Sequence, residues 1–261
     1  MCERFQGKVV MITGAASGFG ALAAARFAAE GARLALSDIA GDALEEVAQS
    51  LRSKGADVIT EHVDVTKEAS VAGHVARVSD GFGALDVAIN NAGLGHRLAP
   101  LQQLSVDEFD TAMAVNARGV FLGMKFQIPV MQAAGQGVIL NVASAAGLVG
   151  AGQLSAYAAA KHAVVGLTRA AADENARRGV RINALCPSFS ATPLFDEMAD
   201  QVGERTSTSR EEAYDHIASR VPMGRVSEPG EVVQAMLWMC APENSFMTGQ
   251  AIAIDGGLTA I

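Results

Sequence analysis

Residues 8–20 read Lys8-Val9-Val10-Met11-Ile12-Thr13-Gly14-Ala15-Ala16-Ser17-Gly18-Phe19-Gly20. The first six form a nearly continuous apolar run, as expected of a parallel β-strand that is covered on both faces. The glycines that follow are spaced GxxxGxG, which differs from the GxGxxG dinucleotide fingerprint. The physical basis is shared, because a turn without Cβ atoms lets the backbone approach a pyrophosphate at the positive end of the next helix. The segment predicts a cofactor-binding strand–turn–helix unit, and a glycine-rich turn without a ligand is the alternative.

Outward from this unit, short apolar runs alternate with helical patterns along the chain. Strands are predicted at residues 8–13, 33–38, 57–63, 85–90, 137–142, 180–186 and 250–254. Helices are predicted at residues 18–30, 42–53, 67–82, 105–114, 117–134, 155–177 and 231–240. This alternation predicts an α/β fold in which a doubly wound, Rossmann-type sheet of about seven parallel strands carries helices on both faces. We expect residues 1–261 to form a single domain.

Residues 188–228 break the alternation, because they contain Pro193, Pro222 and a polar run at residues 204–210. They are predicted to be irregular. A loop of this length in a compact domain is usually functional or mobile. We expect this segment to form a substrate-binding loop or lid.

Composition excludes several classes of protein. Half of the residues are hydrophobic, 27 are glycines and only 18% are charged, so the chain can bury a large core and is not disordered. The net charge of −8 argues against a nucleic-acid partner, which needs a basic surface. The three cysteines, Cys2, Cys186 and Cys240, lie far apart without metal-ligand spacing. They predict reduced thiols in a cytoplasmic protein without a metal site.

No membrane segment is expected either. The first residues lack the apolar core of a signal peptide. Residues 126–160 carry no charge, but prolines, glycines and amides interrupt them, whereas a membrane-spanning helix needs a more continuous apolar run. A helix, a buried strand and a loop are predicted there.

Three features after later strands support a dinucleotide site. Asp38 ends the second strand, where a carboxylate can bind both ribose hydroxyls and repel a 2′-phosphate. Because residues 15–17, 39 and 40 include no Lys or Arg, the pattern favours NAD over NADP. Asp64-Val65 ends the third strand, where a side chain can meet the adenine, and Asn90-Asn91-Ala92-Gly93 follows the fourth. The alternatives are a helix cap or turn residue for Asp38 and ordinary turns for the other two.

Candidate catalytic side chains follow the fifth strand. Ser144 lies just past it, at the edge where open α/β sheets bind ligands. Tyr157 and Lys161 are four residues apart on a predicted helix and therefore share one face. A phenol needs its pKa lowered by about 3 units to act as an acid–base near neutral pH, which corresponds to about 4 kcal/mol. A nearby ammonium together with a nicotinamide cation is a source of that energy. The alternatives are a surface helix pair without catalytic function for Tyr157 and Lys161, and an ordinary loop hydroxyl for Ser144.

Asn116 lies between two predicted helices. Its side-chain amide is placed to hold a water molecule in a proton path to Lys161. The sequence predicts a break between the two helical stretches at Asn116.

Taken together, these motifs resemble the classical short-chain dehydrogenases/reductases, from Gly7 to Gly257. The matching elements are Thr13-Gly14-x-x-x-Gly18-x-Gly20, Asp64-Val65, Asn90-Asn91-Ala92-Gly93, Asn116, Ser144, Tyr157-x-x-x-Lys161, Asn183-Ala184-Leu185-Cys186-Pro187 and Asp255-Gly256-Gly257. The resemblance implies a one-domain Rossmann fold of seven parallel strands that usually forms a homotetramer. It implies Tyr157 as acid–base, Lys161 as pKa modulator and ribose ligand, Ser144 as orienter of the substrate oxygen and Asn116 as relay.

The resemblance also implies the cofactor contacts, with Thr192 at the position that binds the nicotinamide carboxamide. They are Gly14, Ser17, Gly18, Phe19, Gly20, Asp38, Ile39, Asp64, Val65, Asn91, Ala92, Gly93, Tyr157, Lys161, Pro187, Ser188 and Thr192. One departure is Ser188, where the family usually has a glycine that permits positive φ. We expect Ser188 to narrow or shift the wall near the nicotinamide without abolishing activity. Phe19 replaces a smaller residue, and we expect it to pack beneath the glycine turn.

Substrate residues are expected after Ser144, at residues 94–97 and within residues 188–228. The candidates are mainly apolar and comprise Ala146, Leu148, Val149, Leu154, Phe189, Leu194, Phe195, Met198 and Tyr214. They favour a hydrophobic or cyclic substrate. His96 and Arg97 are candidates for binding a carboxylate or a phosphopantetheine, and a solvated charged loop is the alternative.

The predicted function is NAD-dependent interconversion of a secondary alcohol and a ketone. The alternatives within the enzyme class are a 3-oxoacyl-thioester reductase and a hydroxysteroid or polyol dehydrogenase. A cofactor-binding regulatory protein without turnover and a purely structural protein are the alternatives outside it.

Overall fold

The computed structural model describes residues 4–260, so Cys2 and Ile261 lie outside the described residues. The strands are β1 (Val9–Thr13), β2 (Arg33–Asp38), β3 (Val58–His62), β4 (Val87–Asn90), β5 (Gly137–Val142), β6 (Val180–Pro187) and β7 (Ala251–Ile254). Each lies within two residues of its predicted bounds. The strands are recognisable from sequence because most are buried, largely apolar runs.

The helices are α1 (Gly18–Ala29), α2 (Gly41–Arg52), α3 (Glu68–Phe82), α4 (Val106–Met113), α5 (Gly119–Ala134), α6 (Ser155–Asn175), α7 (Pro193–Thr206), α8 (Arg210–Ala218) and α9 (Pro229–Cys240).

The prediction that residues 188–228 are irregular is wrong, because α7 and α8 occupy most of this segment. Pro193 begins α7 at a position where its missing N–H costs nothing. Ser209 and Glu212 form a capping box that begins α8. The polar run is thus the junction of two helices.

The strands form one parallel sheet in the order β3-β2-β1-β4-β5-β6-β7, as predicted for a doubly wound fold. The order reverses between β1 and β4. Loops on the two sides of this point diverge, and they leave a crevice at the carboxyl ends of the strands. Four of the sequence motifs therefore meet at this carboxyl edge of the sheet: the glycine turn after β1, Asp38 at the end of β2, residues 90–93 at the end of β4, and Ser144 after β5.

Alternation along the strands divides the core into two layers. Val10 and Ile12 of β1 pack with α1, α2 and α9, whereas Val9 and Met11 pack with α3, α5 and α6. The same alternation continues in β2, β4 and β5. Helices thus cover both faces of the sheet. This explains why the central strands lack the regular alternation of apolar and polar residues that is typical of a sheet with one face in solvent.

A buried amide network joins the central strands to the helices of the second layer. The Asn90 amide donates to Gln127 at 3.1 Å and to Asn141 at 2.8 Å, and Gln127 donates back to Asn90 at 2.8 Å. Asn141 then donates to the Thr168 hydroxyl at 2.9 Å. These four side chains are almost fully buried, and they link β4, β5, α5 and α6 directly beneath the carboxyl edge.

Helices α7 and α8 have a small hydrophobic core of their own, formed by Phe195, Ala199, Ala213 and Ile217. The two chain segments that lead into and out of this pair are joined at a parallel bridge between Ser190 and Ser227. We call residues 188–228 the lid, since they form a packed unit attached to the sheet by two adjacent segments. Among residues 4–260, no helix is both long and apolar enough to cross a membrane.

Candidate active site

The glycine turn after β1 is packed too tightly for side chains at two of its positions. Gly14 has φ +67°, and a Cβ there would lie 2.8 Å from the Ala92 Cα atom. A Cβ on Gly20 would lie 2.0 Å from the Gly14 carbonyl oxygen. The Asn91 amide donates to the carbonyls of Thr13 and Gly14 at 3.0 and 2.9 Å. The side chain of Asn91 therefore supports the turn from within, rather than facing outward.

Thr13 belongs to the glycine motif but is not among the predicted cofactor contacts. Its hydroxyl accepts hydrogen bonds from the N–H groups of Asn91 and Ala92, both at 3.1 Å. It thereby ties the loop after β4 to the end of β1. Its position immediately before Gly14 was the available signal. The ring of Phe19 packs against the core beneath the turn, as expected.

Asp38 lies at the end of β2 beside the glycine turn. One carboxylate oxygen accepts from the Ala16 N–H at 3.0 Å, and the other accepts from the Ala40 N–H at 2.9 Å. Each oxygen keeps a further lone pair for an external donor. The neighbouring Ile39 side chain is 64% exposed, which leaves an apolar surface next to the carboxylate.

The end of β3 contributes Asp64 and Val65. One oxygen of Asp64 accepts from the Thr66 hydroxyl at 2.7 Å and from the Thr66 N–H at 2.8 Å. These bonds lower the pKa of the Asp64 carboxyl. The side chain of Val65 packs on α5, where a Cβ on Gly119 would lie 3.0 Å from it. Asp64 is thus partly a turn residue, and its second oxygen faces no protein donor in the described part of the chain.

Lys161 and Tyr157 lie on one face of α6, as predicted. The Lys161 ammonium is almost fully buried and donates to the Val142 carbonyl at 2.8 Å. Its Nζ atom lies 5.5 Å from the centre of the Tyr157 ring. Burial lowers the pKa of Lys161 to about 8. The ammonium has three donors, so this single carbonyl leaves two of them for other partners.

In the protein alone, burial raises the pKa of the Tyr157 phenol, and the nearby Ser144 hydroxyl offsets part of that shift. Acid–base chemistry at this phenol near neutral pH would therefore need added positive charge close to it, such as that of a nicotinamide cation.

Ser144 begins a short 3₁₀ turn at the carboxyl end of β5. Its hydroxyl oxygen accepts from the Ala146 N–H at 3.1 Å and lies 3.4 Å from the Pro187 carbonyl. Cys186, just before that proline, is fully buried against the same site, and burial raises the pKa of its thiol to about 11. Cys186 is therefore a neutral packing residue.

Asn116 does not interrupt the helix. It lies in a π-helical turn, Ala114–Arg118, that joins α4 to α5 without a gap. Its amide N–H groups donate to the carbonyls of Leu94 and Ala112 at 2.9 and 3.1 Å, and its oxygen accepts from the Leu94 N–H at 3.1 Å. Both amide hydrogens of Asn116 therefore have protein partners, and its oxygen has one lone pair left for a further donor such as a water molecule.

The segment after β6 tolerates Ser188 without strain. Among residues 4–260, the only non-glycine residues with positive φ are Gln153 and Ser207, so Ser188 does not need the freedom of a glycine. The Ser188 N–H donates to the Ile254 carbonyl at 3.2 Å, which fixes the chain beside β7. Thr192 lies farther on, and its hydroxyl donates to the Ser190 carbonyl at 3.2 Å.

Two of the predicted substrate residues, Phe195 and Arg97, have partners within the protein. Phe195 is buried in the core of the lid, where it meets Tyr214 edge-to-face at 4.5 Å, so it is not a lining residue. Arg97 pairs with Glu108 and also donates to the Gln103 carbonyl, which favours the alternative of a charged loop. Val149 and Leu194 remain exposed, and Ala146, Leu148, Leu154, Phe189 and Met198 are half-buried.

These residues fit a nicotinamide dinucleotide. The cradle at Gly14 and Gly20 has no room for side chains, and Asp38 offers free lone pairs to ribose hydroxyls. Lys161 holds unused donors in a buried position at the same edge. Within residues 4–260, no three His, Cys, Asp or Glu side chains are grouped as metal ligands.

Comparisons with known proteins agree with this geometry. A family model described as enoyl-(acyl carrier protein) reductase matches residues 14–259. Levodione reductase of Leifsonia aquatica is 37% identical over 259 residues, which cover 98% of this chain and 96% of that protein. The cis-4-hydroxycyclohexanecarboxylate dehydrogenase of Sinomonas cyclohexanicum is 38% identical over 261 residues, which cover 100% of both chains.

Solved structures superpose over nearly the whole chain. An NAD+-bound xylitol dehydrogenase has a TM-score of 0.93 at 32% identity, with 97% of this chain and 99% of that chain covered. An actinorhodin polyketide ketoreductase with NADPH also has a TM-score of 0.93 at 32% identity, with 100% of both chains covered. The two neighbours were solved with different nicotinamide cofactors.

Replacing Lys161 with Met removes the buried charge at similar side-chain volume. The folded-state pKa of about 8 lies below the ordinary 10.5. The unfolded chain therefore binds more protons than the folded chain above neutral pH, and the unfolding free energy rises with pH. Between about pH 7 and about pH 9.5, we expect the cofactor-free wild type to gain about 2 kcal/mol relative to Lys161→Met.

Urea titrations at both pH values measure this gain. Lys125→Met is the control, because Lys125 is an exposed lysine paired with Glu68. A constant difference between wild type and Lys161→Met would contradict the lowered pKa.

Proposed function

Because the chain belongs to the classical short-chain dehydrogenase/reductase family, we propose that it is an NAD-dependent oxidoreductase that interconverts a secondary alcohol and a ketone. The observation that carries the proposal is the arrangement of Ser144, Tyr157 and Lys161. The hydroxyl, the phenol and the buried ammonium meet at the carboxyl edge of the sheet, next to the Gly14–Gly20 cradle. An alcohol oxygen placed there meets a proton acceptor and a hydrogen-bond partner together.

In the proposed reaction, Tyr157 removes the hydroxyl proton of the alcohol while Ser144 holds the same oxygen by a hydrogen bond. A bound nicotinamide cofactor supplies the acceptor for the hydride that leaves the carbinol carbon. The Lys161 ammonium favours the phenolate by its charge and reaches toward the ribose with its unused donors. In the reducing direction, Tyr157 returns the proton to the carbonyl oxygen.

Asn116 contributes to this proton path through its oxygen. A Cβ on Gly93 would lie 2.9 Å from the Asn116 Oδ1 atom and 3.5 Å from the Lys161 Nζ atom, so both atoms border Gly93. The oxygen has one lone pair left, which suits a donor from Lys161 or from a water molecule. We propose Asn116 as a relay residue in this restricted sense.

NAD is the proposed cofactor because Asp38 places a carboxylate where NADP carries its 2′-phosphate. The carboxylate attracts ribose hydroxyls and repels a phosphate at close range. The adenine is proposed to lie between Ile39 and the Asp64-Val65 turn, where Ile39 is exposed and one oxygen of Asp64 has no protein donor.

The proposed substrate is a hydrophobic or cyclic alcohol or ketone. Exposed and half-buried apolar residues of the lid and of the loop after Ser144 support an apolar pocket. The names of the two curated relatives, a levodione reductase and a hydroxycyclohexanecarboxylate dehydrogenase, point to ring substrates.

A 3-oxoacyl-thioester reductase is the second candidate, since the family model carries an acyl-carrier-protein description. The pairing of Arg97 with Glu108 weakens it, because it removes a cation suited to a phosphopantetheine. A polyol or hydroxysteroid dehydrogenase also remains among the alternatives. A regulatory protein without turnover has no use for a phenol beside a buried ammonium.

We further propose a homotetramer in the cytoplasm. Val106, Phe109 and Phe121 on α4 and α5, together with Trp238 and Phe246 near α9, are exposed apolar residues that an interface would cover. The unpaired, buried thiols of Cys186 and Cys240 suit a reducing compartment. Light scattering is expected to give four times the chain mass, and a monomer would contradict the assembly.

Replacing Tyr157 with Phe removes the acid–base group while keeping the ring. We expect kcat to fall by about 10²–10⁴-fold, the usual contribution of general acid–base catalysis. NADH binding, followed by NADH fluorescence, is expected to survive. Tyr214→Phe is the matched control, because Tyr214 is the other of the two tyrosines and its hydroxyl meets Asp196 in the lid. Retained turnover in Tyr157→Phe would refute the mechanism.

Cofactor choice is tested by kcat/KM for NAD+ and NADP+ with one secondary alcohol. We expect NAD+ to be preferred, and we expect Asp38→Asn to reduce the preference by about tenfold or more, equivalent to about 1.4 kcal/mol. Glu46→Gln on the exposed side of α2 changes the net charge equally and is the control. Equal or better use of NADP+ by the wild type would overturn the NAD proposal.

A further inference from the structure

Helix α7 crosses the carboxyl edge of the sheet from the glycine turn toward the loop after β5. At its beginning, Thr192 and Pro193 lie 3.9 Å from the position of a Cβ on Gly18. One residue later, Leu194 lies 3.3 Å from the position of a Cβ on Gly95, in the loop after β4. The helix has 14 residues, so it is about 21 Å long, enough to span the loops after β1, β4 and β5.

At the far end of α7, three segments are joined pairwise. The Leu98 N–H donates to the Gln201 Oε1 atom on α7 at 2.7 Å. The Ala99 N–H donates to the Gln153 carbonyl at 3.0 Å. The Arg205 guanidinium on α7 donates to the Gln153 side-chain oxygen. We call these five residues the Gln153 junction, and it connects the loop after β4, the loop after β5 and the lid.

Gln153 adopts a left-handed backbone conformation with φ +65°. That conformation is unfavourable for a residue with a side chain, and it persists where the surroundings fix it. Here the backbone carbonyl and the side chain of Gln153 are both engaged by other segments. Gln153 also lies two residues before α6, the helix that carries Tyr157.

The geometry points to a specificity role for the Gln153 junction: it limits the substrate to a compact, ring-sized alcohol or ketone and excludes one with a long tail. This inference rests on the proposed function. The glycine-turn end of the cleft is proposed to hold the cofactor, so a tail would have to leave at the opposite end. There the hydrogen bonds of the junction join the three surrounding segments, and a tail would have to pass between them.

The junction can be opened without disturbing the catalytic groups. Arg205 is exposed, so Arg205→Ala removes one of the three connections at little risk to folding. Gln153→Gly removes the same connection from the other side and suits the left-handed backbone. Both variants delete the same contact, the hydrogen bond between the Arg205 and Gln153 side chains. We therefore expect the double variant to behave like either single variant. Arg210→Ala is the matched control, because Arg210 pairs with Asp200 within the lid.

The test compares a methyl-substituted with an octyl-substituted cyclohexanone, by NADH turnover and by calorimetric binding to the enzyme–NADH complex. We expect the wild type to favour the methyl compound in kcat/KM. Arg205→Ala and Gln153→Gly are each expected to reduce that preference by about tenfold or more, whereas Arg205→Lys and Arg210→Ala keep it.

Binding separates this inference from the proposed function. If neither ketone is turned over but the wild type binds only the methyl compound and Arg205→Ala binds both, the size limit stands and the proposed function fails. If the wild type turns over both ketones equally, the proposed function stands and the size limit fails. An unchanged preference in Arg205→Ala, or no binding of either ketone to any variant, also overturns the inference.

Discussion

The buried ammonium of Lys161 is the constraint on which the rest of the site depends. Removing a charge from water is costly unless hydrogen bonds and opposite charge replace the lost hydration. The protein supplies one carbonyl, that of Val142, and burial lowers the pKa of Lys161 to about 8. A ligand that brought hydroxyl groups to the remaining donors would relieve this cost. Binding of such a ligand would be thermodynamically linked to the charge state of Lys161.

Packing next to this ammonium fixes Asn116. A Cβ on Gly93 would lie only 2.9 Å from the Asn116 Oδ1 atom, so glycine leaves room for this amide. Asn116 in turn is held by the Leu94 backbone, so the loop after β4 is fixed relative to the helix turn that carries Asn116. Below them, the Asn90, Gln127, Asn141 and Thr168 network ties α5 and α6 to the central strands. Satisfied amides of this kind give one register between helix and sheet.

The strands and the order of motifs could be predicted from the sequence because each depends on local pattern. The buried runs and the glycine spacing identify β1 and its turn without knowledge of any distant contact. The helices of the lid were missed because α7 and α8 are polar outside and bury only a few residues against each other. Phe195 was assigned to the pocket for the same reason, since sequence does not show which partner covers an apolar ring.

The role of Asn116 shows a second limit of the same kind. Its residue type and position in the motif order were readable, but its partner Leu94 lies in a loop 22 residues away. Ser188 is the reverse case, in which a departure from the family pattern causes no backbone strain. Its backbone bonds to Ile254 in an ordinary conformation, so glycine is not required. Backbone angles and long-range partners are not encoded in residue spacing.

The lid has its own core and is held to the rest of the molecule at separate points. Phe195, Ala199, Ala213 and Ile217 stabilise α7 against α8 whatever the lid touches outside. The bridge between Ser190 and Ser227 keeps the two connecting segments side by side. A motion that kept this small core intact would have to turn about that bridge and break the contacts at the far end of α7. The packing of α7 on α8 is in this way separate from the stability of the sheet, which depends on the two main layers.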